Sequence, residues 1–395
     1  VALTAKGIDP RVFSALSDRA VFSTIREASS YGISRAELAR ATGFSKPTIS
    51  AVVSDFIEAG LLRTTENNEV GALGRPATKF KLAPEAGFVL AADIGATKTI
   101  VAVTDLLGNI IAEEKFSTGS SAQECLRQLV AKAKAMMPSG KPGSVCIGVP
   151  GVYQLGQDRV EQAVNLPGFE EIAVASYLSE SLELEDIQIE NDVNLAAAAE
   201  AIEGGDSNLV AISVGTGIGL GIILGGNLYR GHSGAAGELG SLWLVPPHSN
   251  GQKPHTVEDV ASALAMRKLF KAALQDGYAS SLGPDADVPK ILVASQSGDA
   301  AAQHVLAQAA DAMALAVAHL TMIFDPARIV FGGGLGQNLI FVEAVRERVL
   351  SLVPYPSPMS ASNMGGRATL LGAISVARES LHANIISRKA EGVSK

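Results

Sequence analysis

The run Asp93-Ile94-Gly95-Ala96-Thr97-Lys98-Thr99 sets a carboxylate, a glycine, a hydroxyl and an ammonium within one short turn between two apolar stretches. Glycine in such a turn lets backbone N–H groups approach a phosphate with no side chain in the way. Asp93 could orient Mg²⁺ through water, and Thr97 and Lys98 could meet phosphate oxygens. Gly215-Thr216-Gly217 has the same character, and Gly332-Gly333-Gly334 is placed to lie against a nucleoside. One glycine turn is weak evidence, because glycine also relieves crowding where a strand meets a helix; three in order carry more weight. A candidate base lies elsewhere, in "IQIENDVNLAAAAEA", which reads as a strand ending at Glu190-Asn191-Asp192 and feeding a helix. A carboxylate at Asp192 could accept a hydroxyl proton as that oxygen attacks a γ-phosphate. It could equally cap the helix, the commoner role of Asp at such a junction.

The elements that must position these residues are apolar strands alternating with alanine-rich helices, beginning at "GFVLAADI" and recurring at "SVCIGVPGVY", "LVAISVGTGIGLGIILGGNLYRG" and "RIVFGGGLGQN". That alternation predicts an α/β body with glycines where strands turn into loops. The body is expected over 85–395, in two α/β lobes of about 85–192 and 193–370, with the C-terminal helix "GGRATLLGAISVARES" returning to close the nucleotide-holding lobe. Pro354, Pro356 and Pro358 mark an extended loop before that helix, and the tail from Ile386 is expected to fray. In "AAQHVLAQAADAMALAVAHLTMIFDP", Met313 and His319 are expected in a core or subunit interface.

Residues 1–84 read differently. Ala20, Val21, Ile25 and Ala28 recur at helical spacing, and Ser34 with Glu37 three residues on is a capping box for a short second helix ending at Gly43. Ser45 then caps a third helix in which Ile49, Val52, Val53, Phe56 and Ile57 are expected to face inward. Two short helices joined by a tight turn predict a helix-turn-helix, with Ser45, Lys46, Thr48 and Ser50 presented to a DNA groove. "GLLRTT" and "TKFKLA" alternate like a hairpin, and Arg75 in the tip between them is suited to a narrow minor groove. The expectation is a winged helix-turn-helix rather than a helical protein-interaction domain.

Bulk composition agrees with this division. The chain of 395 residues suffices for two or three domains, and 47% hydrophobic with 18% charged residues is the composition of a folded protein. The net charge is −8, but residues 1–86 carry 11 Lys and Arg against 9 Asp and Glu, while the remainder carries 21 against 31. Nucleic-acid contact is therefore expected only at the N-terminal end. Cys125 and Cys146 have no C-x-x-C partner, so neither a disulfide framework nor a thiolate site is indicated. No apolar run is expected to span a bilayer, no leader sequence is evident, and the expected location is cytoplasmic.

On these motifs the chain resembles the ROK family (repressor, open reading frame, kinase), and in particular its regulators with an N-terminal winged helix-turn-helix. The resemblance implies an actin/hexokinase-like fold closing on a sugar and ATP. Asp93 to Lys98 resembles the family's first phosphate motif, with Ala96 in place of a glycine. It further implies sugar contacts from Asn165 in "NLPGF", from Asn191, from Asp192 as catalytic base, and from Glu238 in "GAAGELG" and Glu258 in "HTVEDVAS". Family members also carry a His and three Cys that bind structural zinc; here Ser241, Ser249, Gly251 and Thr256 stand in their places, so no structural zinc is expected despite His248 and His255 nearby.

Two functions follow from the resemblance. One is a sugar-responsive transcriptional regulator, a repressor that binds palindromic operator DNA and a sugar or sugar-phosphate effector as a homodimer or homotetramer, away from membranes. The alternative is an ATP-dependent sugar kinase, bifunctional with DNA binding and using Mg-ATP. Retained phosphate residues make catalysis chemically feasible, while Ala96 and Ser241 depart from the family pattern inside the site.

Overall fold

The computed structural model describes residues 10–65, 78–138, 140–154, 156–161, 163, 166, 168–247 and 253–390. Its N-terminal head begins with α1 (Pro10–Glu27), β1 (Ile33–Ser34) and α2 (Arg35–Thr42). The Ser34–Glu37 capping box starts α2, and Gly43 ends it in the left-handed conformation at φ 73°. Ser45 caps α3 (Lys46–Glu58), whose first turn Pro47 fits because that turn has no N–H to lose. Ile49, Val52, Val53 and Phe56 are buried, but Ile57 is 38% exposed, contrary to expectation. It follows Phe56 by about 100° of helical rotation and is carried off the buried face. β2 (Leu62–Thr65) and β3 (Lys79–Leu82) pair antiparallel, and β1 joins the other side of β3. The hairpin tip with Arg75 lies outside the described residues.

The first lobe contains β4 (Phe88–Ile94), β5 (Lys98–Asp105), β6 (Ile110–Ser117), α4 (Ala122–Met136), β7 (Ser144–Val149), β8 (Val152–Gln154), β9 (Arg159–Glu161), α5 (Val174–Leu182) and β10 (Ile187–Asn191). Its sheet order is β10-β7-β4-β5-β6, with β10, β7 and β4 parallel and all ending at one edge. α6 (Asp192–Gly204) leads to the second lobe, which opens with β11 (Leu209–Val214), β12 (Ile218–Leu224), β13 (Asn227–Leu228), β14 (Trp243–Val245) and β15 (His255–Thr256). There follow α7 (Glu258–Ala261), α8 (Ala263–Gln275), α9 (Val288–Gln296), α10 (Ala300–Phe324), β16 (Arg328–Gly332), α11 (Gly333–Gly336), α12 (Leu339–Leu352), β17 (Met359–Ala361) and α13 (Ala368–Ala390). The second sheet runs β13-β12-β11-β16-β17, with β11, β16 and β17 parallel.

Two expectations are corrected. α10 is, by length and a mean hydropathy of 1.4, apolar enough to cross a membrane, although no such run was anticipated. Its apolarity has a packing cause: it lies against α7, α8, α9 and α12, and 56% of the apolar window is buried. Met313 is inside, whereas His319 is exposed. The tail does not fray at Ile386 either, because α13 continues to Ala390 with Ile386 buried.

α13 packs on β4 and β7 of the first lobe, on α6, and on α1 of the head. It crosses α6 so closely that a Cβ at Gly372 would overlap the Leu195 carbonyl. Beyond the crossing, Ile374, Ala377, Leu381 and Ile386 share one continuous core with Val21, Phe22 and Ile25 of the head and with Val89, Ala91 and Cys146 of the sheet.

Candidate functional site

At the common edge of the first sheet, Asp93, Gly148 and Glu190 lie side by side in register on β4, β7 and β10. Burial, with the Asp192 carboxylate close by, raises the Asp93 carboxyl to about 6, against the pull of Lys98. Asp192 also rises to about 6 through burial, partly offset by the Val193 N–H, which donates to its Oδ1 at 2.9 Å. Two carboxyls from different elements thus share one place, one behind the first glycine turn and one at the head of α6.

That turn joins β4 to β5 as a hairpin: Gly95 N donates to the Lys98 carbonyl at 2.9 Å, and Thr118 Oγ1 to the Gly95 carbonyl at 2.6 Å. Thr97 and Lys98 are exposed. Ala96 lies outside the left-handed region, so its methyl group adds no backbone strain. The second turn repeats the design between β11 and β12, where Gly215 N donates to the Gly217 carbonyl at 2.9 Å. The third turn is held against the second. Gly333 has φ +75°, and a Cβ there would meet the Val214 carbonyl oxygen at 2.5 Å, so only glycine fits.

The residues at the start of α6 divide their work. Asn191, not Asp192, is the N-cap: its Oδ1 accepts from Val193 N at 2.8 Å and Asn194 N at 3.2 Å, while its Nδ2 donates to the Gly151 carbonyl at 3.0 Å. Asp192 Oδ1 shares the Val193 N–H, and its charge reaches Asp93. Val193 packs over Gly219 at the start of β12, bringing the Asp192 turn against the second lobe. Nearby, Glu258 Oε2 accepts from Ile218 N at 2.8 Å and lies against Gly217 and Gly240. Burial raises the Glu238 carboxyl, and the Glu258 charge adds to the rise.

The structure therefore gathers Asp93, Asp192 and the second-lobe pair Glu238 and Glu258 around the junction of the lobes, and joins Gly215–Gly217 to Gly332–Gly334. Asn165 lies outside the described residues, as do His248, Ser249 and Gly251. Thr256 forms a hydrogen-bonded box with Asp259: Thr256 N donates to Asp259 Oδ2 at 2.9 Å, and Asp259 N to Thr256 Oγ1 at 3.4 Å. Among the described residues, no three His, Cys, Asp or Glu side chains group as a metal would require. Ser45, Lys46, Thr48 and Ser50 belong to the head, at the start of α3. Ser45 Oγ accepts from Thr48 N at 3.3 Å and pairs with Thr48 Oγ1 at 2.8 Å, while Lys46 and Ser50 are exposed.

Sequence reasoning missed Glu190, Arg230 and Thr369. Glu190 is buried, and its Oε1 accepts from Asn191 N at 2.9 Å and Asn194 Nδ2 at 2.8 Å; its Oε2 accepts from Arg230 Nε. A glutamate within an apolar strand was a usable signal, since a buried carboxylate needs partners. Thr369 Oγ1, in the first turn of α13, donates to the Asp192 carbonyl at 3.2 Å. No local pattern announces that contact between residues so distant in sequence.

A model of the ROK family matches residues 89–380. The xylose repressor of Caldicellulosiruptor bescii is 26% identical over 366 residues, spanning 87% of this chain and 91% of that protein. Among solved structures, the ROK hexokinase of Thermus thermophilus superposes with a TM-score of 0.66 at 26% identity, covering 75% of this chain and 99% of its own. A ROK family transcriptional regulator, a homologue of the E. coli MLC protein, superposes with a TM-score of 0.78 at 22% identity over 96% of this chain and 99% of its own. The body accordingly has the actin/hexokinase-like fold of ROK sugar kinases, and similarity to the regulator extends beyond it into the head.

Proposed function

The chain belongs to the ROK family, and from that premise we propose that it is a sugar-responsive transcriptional regulator, a repressor whose paired heads read palindromic operator DNA while the body binds a sugar or sugar derivative. The observation that carries this reading is α13. Its first turn is bonded to the Asp192 carbonyl in the cleft. Farther along, Arg26 Nη1 of the head donates to Glu379 Oε1 at 2.6 Å, and the His382 ring stands edge-on to Phe22 with centroids 5.0 Å apart. From Thr369 to His382 is about 20 Å of helix. A ligand that shifts Asp192 acts on the same rod that seats the head. Coupling then needs only that the ligand bind the DNA-competent and DNA-incompetent states unequally.

In this reading α2 and α3 are a helix-turn-helix, the β2–β3 hairpin is its wing, and Arg75 serves the minor groove. Ser45 and Thr48 are occupied in capping, so Lys46 and Ser50 are the better placed to meet DNA. Asn165, Asn191, Asp192, Glu238 and Glu258 are assigned to the sugar. Asn191 keeps only part of its amide for that task, because the cap and Gly151 use the rest. We assign no structural zinc.

A second reading, an ATP-dependent sugar kinase, is favoured by the two raised carboxyls and the three glycine turns. Asp93, Gly95, Thr97, Lys98, Gly215, Thr216, Gly217, Gly332, Gly333 and Gly334 would hold Mg-ATP, which supplies the transferable phosphoryl group. Asp192 would take the sugar hydroxyl's proton.

One experiment separates the readings: titrate purified protein with a panel of sugars and sugar phosphates, with and without Mg-ATP, following heat of binding, phosphorylated product and affinity for operator DNA. Binding that alters DNA affinity without product is the expected result. Product formation that Asp192→Asn abolishes, with no effect of any sugar on DNA binding, would establish the kinase instead.

A further inference from the structure

The ion pair of Glu190 and Arg230 bridges the two halves of the cleft. Glu190 closes β10 of the first lobe, immediately before Asn191 and Asp192; Arg230 follows β13 of the second lobe and opens the loop that ends at Glu238. That loop is folded back on its own start, since Ala236 N donates to the Arg230 carbonyl at 3.2 Å. Its Gly234 lies over the Tyr153 carbonyl of β8, at 3.3 Å from the place of a Cβ. Arg230 and Glu238 thus stand at the two ends of one loop that is folded back on its start.

The pair is unequal. The Glu190 side chain is 9% exposed, and its other oxygen is already committed to Asn191 and Asn194; the Arg230 side chain is 49% exposed. Separating the two would return Arg230 to water and leave Glu190, the more buried partner, without its cation, so the pair favours the arrangement seen here. The guanidinium also has the geometry for this work, presenting Nε to Glu190 from a half-exposed side chain with two further nitrogens in a planar fork, which an ammonium on a flexible stem does not reproduce.

We propose that Arg230 is a positioning residue: acting through Glu190, it sets the separation between the Asn191-Asp192 turn and the Glu238 segment, and with it the width of the sugar site. The proposal rests on the assignment of those residues to the sugar.

The test uses the whole protein with Arg230→Gln, Arg230→Lys, Glu190→Gln and the double change Glu190→Gln/Arg230→Gln. Neutral-sugar affinity is measured by calorimetry, and amide hydrogen exchange of 190–194 and 230–238 is followed without sugar. Each single change is expected to weaken sugar binding by about tenfold, and the double change no more than the worse single, as for two members of one coupled pair. Arg230→Lys is expected not to rescue. In the absence of sugar, Arg230→Gln is expected to speed exchange in both segments together and to lower the thermal midpoint, because Glu190 loses its cation, while sugar-free DNA affinity stays at the wild-type value. Faster exchange confined to 230–238, or sugar losses that simply add, would overturn the proposal. If the wild-type protein binds no sugar, the sensing function fails, yet joint or separate exchange of the two segments still decides the role of Arg230. If Glu190→Gln does not fold, the two Arg230 changes at a half-exposed side chain carry the exchange test alone.

Discussion

At the scale of single residues, the cleft contains two partly buried carboxyls, Asp93 and Asp192, whose protonation burial shifts upward. Asp93 has an unfolded value near 3.8 and a folded value of about 6. Below the lower value it is protonated in both states and costs nothing. As pH rises between the two, the unfolded chain gives up its proton first, so native stability falls until the folded carboxyl has also ionised. Asp93→Asn removes that loss. Denaturant unfolding at pH 8 is expected to find the variant more stable than wild type by about 3 kcal/mol, with the difference vanishing below about pH 3. A constant difference across that range would mean that Asp93 does not titrate as described. In the head, Lys46→Ala is expected to weaken operator binding roughly fivefold and to lower the salt dependence by about one phosphate contact, leaving sugar binding intact. Unchanged DNA affinity at moderate salt would remove Lys46 from the interface.

At the scale of elements, α13 joins cleft to head, and this can be broken at one end without touching the other. Glu379→Ala removes the partner of Arg26. Sugar affinity and sugar-free DNA affinity should each persist, while the effect of sugar on DNA binding shrinks from the range of about 5- to 150-fold usual for coupled sites toward none. Retention of the full effect, measured by fluorescence anisotropy at saturating sugar, would show that coupling runs elsewhere. The local elements were legible in the sequence because their signals are local: the Ser34–Glu37 box, the Gly43 stop, the Ser45 cap and the glycine turns at Gly95 and Gly215 each depend on residues a few positions apart. The length of α13 and the polarity of its role were not. Ile386 reads as the start of a polar tail until the apolar face of α1 is set beside it. In the same way, the sequence offered Asp192 as base or cap, and only the folded backbone gave the cap to Asn191.

At the scale of the whole molecule, two lobes meet at α6 and a third body, the head, is seated on the first lobe through α13. The alternation of strands and helices made the two-layer body legible, whereas the pairing of Glu190 with Arg230 and of Thr369 with Asp192 depends on how the lobes close. Heads that read a palindrome must come in pairs, so sedimentation equilibrium at micromolar protein is expected to give a dimer or tetramer, and DNA binding one dimer per operator. A monomer that still binds the operator tightly would exclude the paired arrangement. The shared core around α13 has a further consequence, for the order in which the protein is made. The ribosome releases α1, α2 and α3 early, but Leu381 and Ile386, which cover Phe22 and its neighbours, are synthesised only after both lobes. A chain cut short within the body presents a head with an open apolar flank, and on the proposed function such a fragment would be poorly equipped to occupy an operator while lacking the sugar site. In the proposed regulator, the helix assigned to carry the signal would thereby also make possession of a DNA-binding head depend on possession of a sensor.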